Sequence, residues 1–375
     1  MSKGTNHFAA IVLAAGLSRR MRRFKPLLPL DGQNVTDFLI GTFLKNDVDV
    51  VLVAGYLQDR LRQGLETPDI QIVVNPHYRQ GMFSSIQAGL RALETGYKGA
   101  FIAPVDIPLV RPSTIHSLLQ AAIEYPGKIL YPTFRRSRGH PPLIPAGVFP
   151  LILEEEINGN LKSLLLGHEN LAAEIPVPDS NVLIDIDTPS DYQRLLEVFQ
   201  HYEVPSLEEC EVILQEIRKV TPSVYRHSLK VARIAEVISH ELSARGINLD
   251  LPAVRAAARL HDIAKGQKGH AAAGASWLAE KGFGKIGDMV AVHTDLPADI
   301  RDNAWEAKIV YLSDKFVDGE KEVSLQERYN SALKRYGVRE DIRSDISRRC
   351  DRALQVKTEL ESLLGFSLEK IISQL

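Results

Sequence analysis

The chain has 375 residues, a length that exceeds a typical single hydrophobic core and therefore predicts two domains. It is 45% hydrophobic and 25% charged, which excludes a disordered protein, and its formal net charge of -2 gives no basic field for nucleic acid or an anionic membrane. Cys210 and Cys350 are its two cysteines and lie far apart, which excludes a disulfide scaffold and a cysteine zinc site and fits a reducing cytoplasm.

The first 200 residues alternate between strand-like and helix-like segments. Short apolar or β-branched runs predict strands at residues 9–14, 48–54, 70–74 and 99–103. Helices are predicted at residues 35–45, 84–93 and 112–123. Basic residues follow the first apolar run directly, which is the reverse of a secretory signal, so we interpret that run as a buried strand. The alternation predicts a Rossmann-like α/β domain with a mostly parallel sheet, which binds ligands at the carboxyl ends of its strands.

The pattern changes near residues 201–206. After Pro205 the strand-like runs end, and a 3.6-residue apolar period predicts an all-α domain to the end of the chain. We place the boundary near residue 204, so that the predicted domains are 1–204 and 205–375. No apolar run reaches the roughly 20 residues that a membrane-spanning helix needs.

A loop of small residues follows the first predicted strand. It reads Leu13-Ala14-Ala15-Gly16-Leu17-Ser18. Small residues let backbone N–H groups approach phosphate oxygens, and the following Arg20 and Lys25 are suited to neutralise a triphosphate. The alternative is an ordinary strand–turn–helix connection with solvated arginines.

Acidic residues follow two further predicted elements of this domain. Asp106 ends an apolar strand, where a Mg²⁺ ligand is expected above the sheet. Asp185 and Asp187 alternate along an extended run, so both can face one side and share a hard cation with Asp106. Asp191 comes just after Pro189, and we interpret it as a first-turn acid facing the helix dipole.

The loop resembles a signature of the GT-A-like nucleotidyltransferases. That signature reads Leu-Ala-Ala-Gly-x-Ser-x-Arg-Met followed by Lys, and the family includes molybdenum cofactor guanylyl- and cytidylyltransferases and sugar-nucleotide synthases. The usual pattern has Gly after Met, where this chain has Arg22. The resemblance extends over about residues 8–197.

Two more segments are similar to the cytidylyl-transferring members of this family. Gly81-Met82-Phe83-Ser84-Ser85 is similar to their Gly-Met-x-Ser-Ser segment, whereas guanylyl transferases have a Gly-Pro turn there. Arg138-Gly139-His140-Pro141 resembles their Arg-Gly-His-Pro segment near the pterin phosphate. A serine-capped helix and a solvated arginine loop with Arg135 and Arg136 are the alternatives.

The resemblance implies Mg²⁺-dependent transfer of a cytidylyl group from CTP to molybdopterin cofactor, with release of pyrophosphate. It implies a nucleotide site of Leu13, Ala14, Ala15, Gly16, Ser18, Arg20, Lys25, Gly81, Ser84 and Ser85. It implies Arg20, Lys25 and Asp106 as catalytic residues, Asp106 with Asp185 and Asp187 as Mg²⁺ ligands, and Arg138, Gly139 and His140 as acceptor-binding residues. A molybdoenzyme or a chaperone is compatible with it as a protein partner, and neither a nucleic acid nor a membrane is expected.

Histidines and aspartates mark the second domain. Thr221-Pro222 is typical of a helix start, and His227 lies in register with apolar residues of that helix. The pair His261-Asp262 lies in a predicted helix at 254–265, and Asp314 shares a helical face with Val310 and Val317. A buried carboxylate without a partner is costly, so a metal or another cation is the natural partner of this set. The alternative for each residue alone is a satisfied core histidine or a capping aspartate.

This set resembles the HD phosphohydrolase superfamily over about residues 221–320. The resemblance implies six metal ligands, with Asp262 and Lys265 as catalytic residues and Lys265 on the substrate phosphate. The implied ligands are His227, His261, Asp262 and Asp314, joined in dinuclear members by His270 and His293. Mn or Fe suits these ligands, and Zn is a further candidate. The branch that hydrolyses diadenosine tetraphosphate is more similar than the cyclic-dinucleotide branch, because Thr294 replaces a second histidine after His293.

We therefore expect a bifunctional cytoplasmic enzyme. One alternative is a nucleotidyltransferase for another phosphorylated acceptor, through phosphosugar or guanylyl transfer. Another is a nucleotide-binding regulatory protein with one silent domain. Residues 321–375 predict helical packing without chemistry of their own.

Overall fold

The structure, a computed structural model, describes residues 7–67, 70–157, 159–301 and 303–372. It divides into two units between Gln200 and His201, whereas the sequence places the domain boundary near residue 204. Each unit has its own hydrophobic core. Among these described residues, no helix is long and apolar enough to cross a membrane.

Strands and helices alternate along the first unit. Its strands are β1 (Phe8–Ala14), β2 (Pro29–Leu30), β3 (Gln33–Asn34), β4 (Asp49–Ala54), β5 (Gln71–Val74), β6 (Gly99–Pro104), β7 (Ile129–Phe134), β8 (Ser137–Arg138), β9 (Leu143–Pro145) and β10 (Ala172–Pro176). Its helices are α1 (Val35–Leu44), α2 (Gln58–Gly64), α3 (Met82–Arg91), α4 (Pro112–Glu124), α5 (Phe149–Glu154), α6 (Leu161–Leu166) and α7 (Pro189–Phe199).

One eight-stranded sheet forms the centre of this unit. The strand order is β10-β7-β9-β6-β1-β4-β5, and β8 pairs with β7 outside this path. The strands β8 and β9 run antiparallel to their neighbours and the others are parallel, which confirms the mostly parallel α/β fold. Because β1, β4 and β6 are parallel, their carboxyl ends meet at one edge of the sheet.

Close packing of α3 on β1 brings the start of that helix to the same edge. A Cβ added at Gly89 would lie 2.4 Å from Ile11 Cγ2, so glycine permits the close approach. Phe83, Ile86 and Leu90 lie on the buried face of α3 at helical spacing. The segment before α3 is therefore held beside the end of β1.

The last helix of the first unit begins with a complete cap. Thr188 Oγ1 accepts a hydrogen bond from the Asp191 N–H, and Asp191 accepts in return from Thr188 N at 2.7 Å. Pro189 occupies the first helical turn, where its missing N–H costs nothing. The interpretation of Asp191 as a first-turn acid is confirmed.

Helices dominate the second unit. They are α8 (Leu207–Glu211), α9 (Pro222–Ser243), α10 (Leu251–Leu260), α11 (His270–Glu280), α12 (Gly284–Ala291), α13 (Trp305–Lys315), α14 (Leu325–Tyr336), α15 (Glu340–Leu364) and α16 (Leu368–Ile372), with a π-helical segment at Val212–Ile217. Two short strands, β11 (Val317–Asp318) and β12 (Lys321–Glu322), form a hairpin.

The start of α9 follows the sequence closely. Thr221 Oγ1 accepts from the N–H of Val224, and Pro222 is the first helical residue, as predicted. His227, Val231 and Ile234 are all buried on the same face of α9. This helix therefore carries a histidine into the core of the second unit.

Two predictions for the second unit are wrong. The helix α10 ends at Leu260, so His261 and Asp262 lie in the turns that follow it and not inside a helix. His261 Nδ1 donates to the carbonyl of Ala258 at 2.8 Å, which occupies one of the last carbonyls of the helix. Val317 also lies beyond the helix of Asp314, in a hairpin that turns at Gly319 with φ of 62°.

Candidate functional site

The loop after β1 opens into a cavity of about 290 Å³ at the carboxyl edge of the sheet. Seven of the predicted nucleotide-binding residues line it: Leu13, Ala15, Gly16, Ser18, Lys25, Gly81 and Ser85. The predicted Mg²⁺ ligand Asp106 lines the cavity too. The Val105 N–H donates to Leu13 O at 3.2 Å, and this hydrogen bond holds the ends of β6 and β1 together. Ala14, Arg20 and Ser84 lie outside the cavity lining.

Acidic and basic side chains converge beside this cavity. Lys25 Nζ lies 2.7 Å from Asp187 Oδ1 and 3.6 Å from Asp106 Oδ2, and Arg20 Nη2 lies 2.7 Å from Asp187 Oδ2. Burial raises the pKa of Asp106, and the charge of Lys25 partly offsets this. The arrangement offers cationic groups for phosphates next to carboxylates for a cation.

Asp185 belongs to the same edge. The buried Ile186 donates its N–H to the Asp106 carbonyl at 2.8 Å, so the extended run passes directly beside Asp106. Asp185 and Asp187 flank Ile186, and both raise the pKa of Asp106 through their charge. The structure thus brings together the three acids that the sequence predicts as Mg²⁺ ligands.

Ser84 and Ser85 have different surroundings. Asn75 Nδ2 donates to Ser84 Oγ at 2.9 Å and to Ser85 Oγ at 3.0 Å. Ser84 Oγ donates to Gly81 O at 2.8 Å, so this hydroxyl shapes the loop, whereas Ser85 lines the nucleotide cavity. The helix begins at Met82, ahead of both serines. Sequence reasoning missed Asn75, although a polar residue directly after β5 is a signal for this edge.

A second cavity of about 610 Å³ adjoins the first, since Gly81, Met82 and Pro104 line both. Its walls are mostly apolar. Further residues on its walls are Phe83, Ile86, Tyr131, Leu161, Leu165 and Leu166. All three predicted acceptor-binding residues, Arg138, Gly139 and His140, line it as well. The two cavities therefore share a wall at the carboxyl edge of the sheet.

The charge of Arg138 is compensated inside the protein. Its guanidinium forms ion pairs with Glu169 and, at 2.9 Å, with Glu174, and it lies 4.5 Å from the centre of the Tyr131 ring. Arg135 and Arg136 of the predicted basic cluster are exposed in a turn. Sequence reasoning missed the two glutamates, because they come from a distant part of the chain.

His140 lines the second cavity and is close enough to Asp106 and Asp185 to be affected by their charges. Its Nδ1 is buried and makes no hydrogen bond within the described part of the chain. Burial lowers the pKa of His140, and the charges of Asp106 and Asp185 oppose that change. The neighbouring Gly139 is required by space, because an added Cβ would lie 2.5 Å from Val182 Cγ2.

A first cluster of metal-type ligands lies in the core of the second unit. His227 Nε2 lies 3.2 Å from His261 Nε2 and 3.2 Å from Asp314 Oδ1. Asp262 Oδ2 completes the cluster, at 3.5 Å from His261 Nε2 and 3.8 Å from His227 Nε2. All four residues are buried.

A second cluster shares the carboxylate of Asp262. Its other oxygen, Oδ1, lies 3.2 Å from His270 Nε2 and 3.5 Å from His293 Nε2. The ligand atoms of His227, His261 and Asp262 all lie within 4.8 Å of one another, and so do those of Asp262, His270 and His293, close enough in each group to surround one ion. Asp262 therefore belongs to two three-residue groups, each of which could hold one metal ion.

Backbone carbonyls fix the orientation of three of these histidines. Nδ1 of His227 donates to Gly319 O at 2.8 Å, Nδ1 of His261 to Ala258 O at 2.8 Å, and Nδ1 of His293 to Val290 O at 2.6 Å. Because a carbonyl only accepts, the proton lies on Nδ1 and the Nε2 lone pair points to the clusters. Two lone pairs that face each other at 3.2 Å between His227 and His261 repel, and a cation bound between them would remove this repulsion.

The electrostatics of the centre suit metal binding. Burial lowers the pKa of His261 to about 4, so the ring is neutral at neutral pH. Burial alone would raise the pKa values of Asp262 and Asp314, yet both lie below the usual value. Electrostatic interaction with His261 is the main factor that lowers the pKa of Asp262. The charge of Lys315 is the main factor that lowers the pKa of Asp314. Neutral imidazoles and ionised carboxylates are the forms that bind metal.

The predicted phosphate ligand Lys265 lies at the rim of this centre. Its Nζ is 3.0 Å from Asp262 Oδ2, and half of its side chain is exposed. Sequence reasoning missed Lys315, which is buried and donates to Asp314 Oδ2 at 2.8 Å and to His293 O at 2.9 Å. No sequence pattern marks Lys315, the residue directly after Asp314, as a partner of that carboxylate.

Comparison with known proteins agrees with both halves. Residues 10–172 match the family model of the MobA-like NTP transferase domain, and residues 224–317 match the HD domain. The chain is thus built from a nucleotidyltransferase domain of the MobA-like family followed by an HD domain.

Named relatives share the first half. The molybdenum cofactor cytidylyltransferase of Escherichia coli is 28% identical over 48% of this chain and 92% of its own length. A Mycolicibacterium paratuberculosis protein named "Probable molybdenum cofactor guanylyltransferase" is 28% identical over 50% of this chain and 94% of its own. Among solved structures, a nucleotidyl transferase from Methanothermobacter thermautotroptrophicus is 24% identical, with a TM-score of 0.46 over 52% of this chain and 99% of its own.

Proposed function

We propose that the first unit catalyses Mg²⁺-dependent transfer of a cytidylyl group from CTP to molybdopterin cofactor. The convergence of Lys25 and Arg20 with Asp106 and Asp187, directly beside the small-residue loop, carries this proposal. Phosphoryl chemistry needs positioning and charge stabilisation more than acid–base groups, and this edge supplies cationic donors and carboxylates together.

The reaction exchanges one phosphate bond for another. An oxygen of the acceptor phosphate forms a bond to the α-phosphorus of CTP, the bond from that phosphorus to the α–β bridging oxygen breaks, and pyrophosphate leaves. The loop backbone and the two cations hold the triphosphate in line for this displacement. Asp106 with Asp185 or Asp187 would hold Mg²⁺, and the ion would supply positive charge to neutralise the phosphates.

Support for cytidine comes from the segment between the two cavities. Gly81 and Ser85 line the nucleotide cavity, and the segment that contains them is similar to that of cytidylyl-transferring members. Guanylyl transfer is the competing specificity, because relatives with either name match this chain at equal identity.

A different phosphorylated acceptor is the second candidate. Glu169 and Glu174 compensate the charge of Arg138 in the acceptor cavity, which leaves less attraction for a highly anionic acceptor than the sequence suggests. A phosphosugar would fit an acceptor cavity with this reduced positive charge. Pyrophosphate release from CTP, measured with molybdopterin cofactor and with a panel of sugar phosphates, separates the two acceptors.

We infer that the second unit is a metal-dependent phosphohydrolase acting on a nucleotide-type phosphate. The orientation of three histidines carries this inference. Their Nδ1–H groups donate to backbone carbonyls, and their Nε2 atoms lie around Asp262. The ligands would be His227, His261, Asp262, His270, His293 and Asp314. Mn or Fe suits imidazole and carboxylate donors, with Zn as a further candidate, and such a metal supplies a strong nucleophile from water at neutral pH.

Lys265 has a defined part in this proposal. Its exposed ammonium lies at the mouth of the centre, where it would bind a substrate phosphate while its pair with Asp262 positions it. The metal content of the purified chain and its hydrolysis of a phosphodiester such as bis(p-nitrophenyl) phosphate test the inference. A chain without bound metal and without hydrolysis would support a silent, regulatory second domain.

The cellular setting is part of the proposal. Both cysteines are free, which fits a reducing cytoplasm. A molybdoenzyme or a chaperone is the protein partner that we propose for the first unit.

A further inference from the structure

A buried carboxylate outside both cavities of the first unit connects the parts of its candidate site. Asp179 is 1% exposed, and its Oδ1 lies 2.7 Å from Nη1 of the buried Arg111. The Arg111 N–H donates to Asp179 Oδ2 at 2.8 Å, and Thr114 Oγ1 donates to the same oxygen at 2.7 Å. Asn181 Nδ2 donates to Oδ1 at 2.9 Å. The two oxygens thus bind donors from two segments that are distant in sequence, and neither cavity is lined by this acid.

The first of these segments carries Asp106. This acid follows β6, and Arg111 directly precedes α4, so both belong to one short connection between a strand and a helix. Residues 107–111 of the connection are all buried. Asp179 accepts hydrogen bonds from the end of the connection and from Thr114 in the first turn of α4, where a carboxylate also has a favourable interaction with the helix dipole. Asp179 therefore fixes the far end of the connection on which Asp106 lies.

The second segment holds the proposed acceptor-binding residues. Asp179 caps a 3-10 turn at Ser180–Leu183. The His140 N–H donates to the carbonyl of Val182 in this turn at 2.9 Å. Val182 also packs against Gly139, where an added Cβ would lie 2.5 Å from Val182 Cγ2. The turn that Asp179 caps is therefore in direct contact with the wall of the acceptor cavity.

The same segment continues into the proposed Mg²⁺ ligands. The turn ends at Leu183, and Asp185 and Asp187 follow it. Between these two acids, the Ile186 N–H donates to the Asp106 carbonyl at 2.8 Å. A displacement of the turn would therefore move the two acids relative to Asp106 and would move the acceptor-binding residues at the same time.

We propose that Asp179, paired with Arg111, is a positioning residue for nucleotidyl transfer. It sets the acceptor-binding residues and the carboxylates of the cation site at the separation that in-line attack on the α-phosphorus requires. The inference rests on the proposed nucleotidyl transfer and adds two residues that line neither cavity to its machinery. The small-residue loop after β1 donates none of the hydrogen bonds described for Asp179, so the two parts of the site can be tested separately.

Pyrophosphate release by the full chain with Mg²⁺, CTP and molybdopterin cofactor tests the proposal. Asp179→Asn is expected to lower kcat by about 100-fold and to raise the KM of the acceptor, because a misplacement of about 1 Å is enough for a loss of this size. Binding of α,β-methylene-CTP, which cannot react, is the second measurement. Without Mg²⁺ its Kd should stay within about threefold of wild type, since the loop after β1 is intact. Mg²⁺ should strengthen this binding less in Asp179→Asn than in wild type.

Asp37→Asn is the matched control. Asp37 is also a buried acid at the start of a helix, and it accepts from Glu66 N at 3.0 Å and from Thr67 N at 2.9 Å. None of these three residues lines either cavity. The control should lose stability, because a buried group loses hydrogen bonds, and should keep the kcat of wild type. Thr114→Val is a milder variant that keeps the ion pair of Asp179, and it should lower kcat by about threefold or more.

The proposal is overturned if kcat in Asp179→Asn, compared at equal folded fraction, is no lower than in Asp37→Asn. If Asp179→Asn does not fold, a Thr114→Val variant with the kcat and acceptor KM of wild type would overturn it instead. Failure of the proposed function gives a different result, a wild-type chain that releases no pyrophosphate. In that case the binding measurement still decides, since an unchanged effect of Mg²⁺ on α,β-methylene-CTP binding in the variants would overturn the positioning role.

Discussion

Asp262 Oδ1 lies 3.2 Å from His270 Nε2, while its second oxygen faces a different pair of histidines. One carboxylate thereby belongs to two ligand groups in the core of the second unit. Removal of this carboxylate affects both groups, whereas removal of a histidine affects one. This difference gives the proposed centre two separable tests.

Asp262→Ala should release bound transition metal and abolish hydrolysis, because the remaining histidines cannot replace the negative charge of this carboxylate. Nucleotidyl transfer should remain within about twofold of wild type, since the first unit has its own site. Elemental analysis of purified protein measures the metal. Asp288→Ala, an exposed acid on α12, is the matched control and should keep its metal. Equal metal content in wild type and Asp262→Ala would show that Asp262 is a structural residue.

His270→Ala should lower the metal content from about two ions to about one for each chain. The first group, with His227 and His261, keeps all its ligands in this variant. Loss of one ligand from a three-residue group weakens binding by roughly 10-fold or more. Titration of metal-free protein with Mn²⁺ measures the number of sites. Two tight sites in His270→Ala would argue against this histidine as a ligand.

Asp106→Asn should reduce nucleotidyl transfer by about 100-fold or more, because the variant cannot supply an ionised ligand to Mg²⁺. The fold should persist, since Asp106 lies at the carboxyl edge of the sheet and not in the apolar core. Asp191→Asn is the control, as this acid caps α7. Pyrophosphate release at saturating Mg²⁺ is the measurement, and near-normal turnover in Asp106→Asn would exclude the proposed role.

Arg22→Gly should stabilise the loop after β1 by about 1 kcal/mol. Arg22 has φ of 56°, a left-handed conformation that glycine adopts without strain, and glycine is the usual residue of the family at this place. Hydrogen exchange of peptides that span this loop measures the change. Arg19→Gly, at a neighbouring position without positive φ, should lower stability slightly. A loss of stability in both variants would mean that the Arg22 side chain outweighs its backbone strain.

Much of the fold was predictable because its signals are local. Buried strands such as β1 appear as apolar runs, and Thr221-Pro222 is a helix start that needs no tertiary information. The end of α10 was not predictable in this way, since the ring of His261 bonds to a backbone carbonyl and the chain leaves the helix earlier than its apolar period suggests.

The candidate sites show the same difference between local signals and tertiary contacts. The resemblance supplied the ligand types of both sites, and the structure groups them. It could not supply Glu169 and Glu174 beside Arg138, or the Gly319 carbonyl beside His227, because these partners are distant in sequence and their residue types are unremarkable. Contacts of this kind follow from tertiary packing, which no local pattern encodes.

Pyrophosphate release from CTP and from GTP, each with molybdopterin cofactor, Mg²⁺ and the wild-type chain, tests the central proposal most directly. The proposal predicts release that depends on the acceptor and has a kcat/KM for CTP at least about 10-fold above that for GTP, since loss of fitting contacts to a base is worth 1–3 kcal/mol. Equal release from the two nucleotides, or release that does not depend on the cofactor, would contradict it.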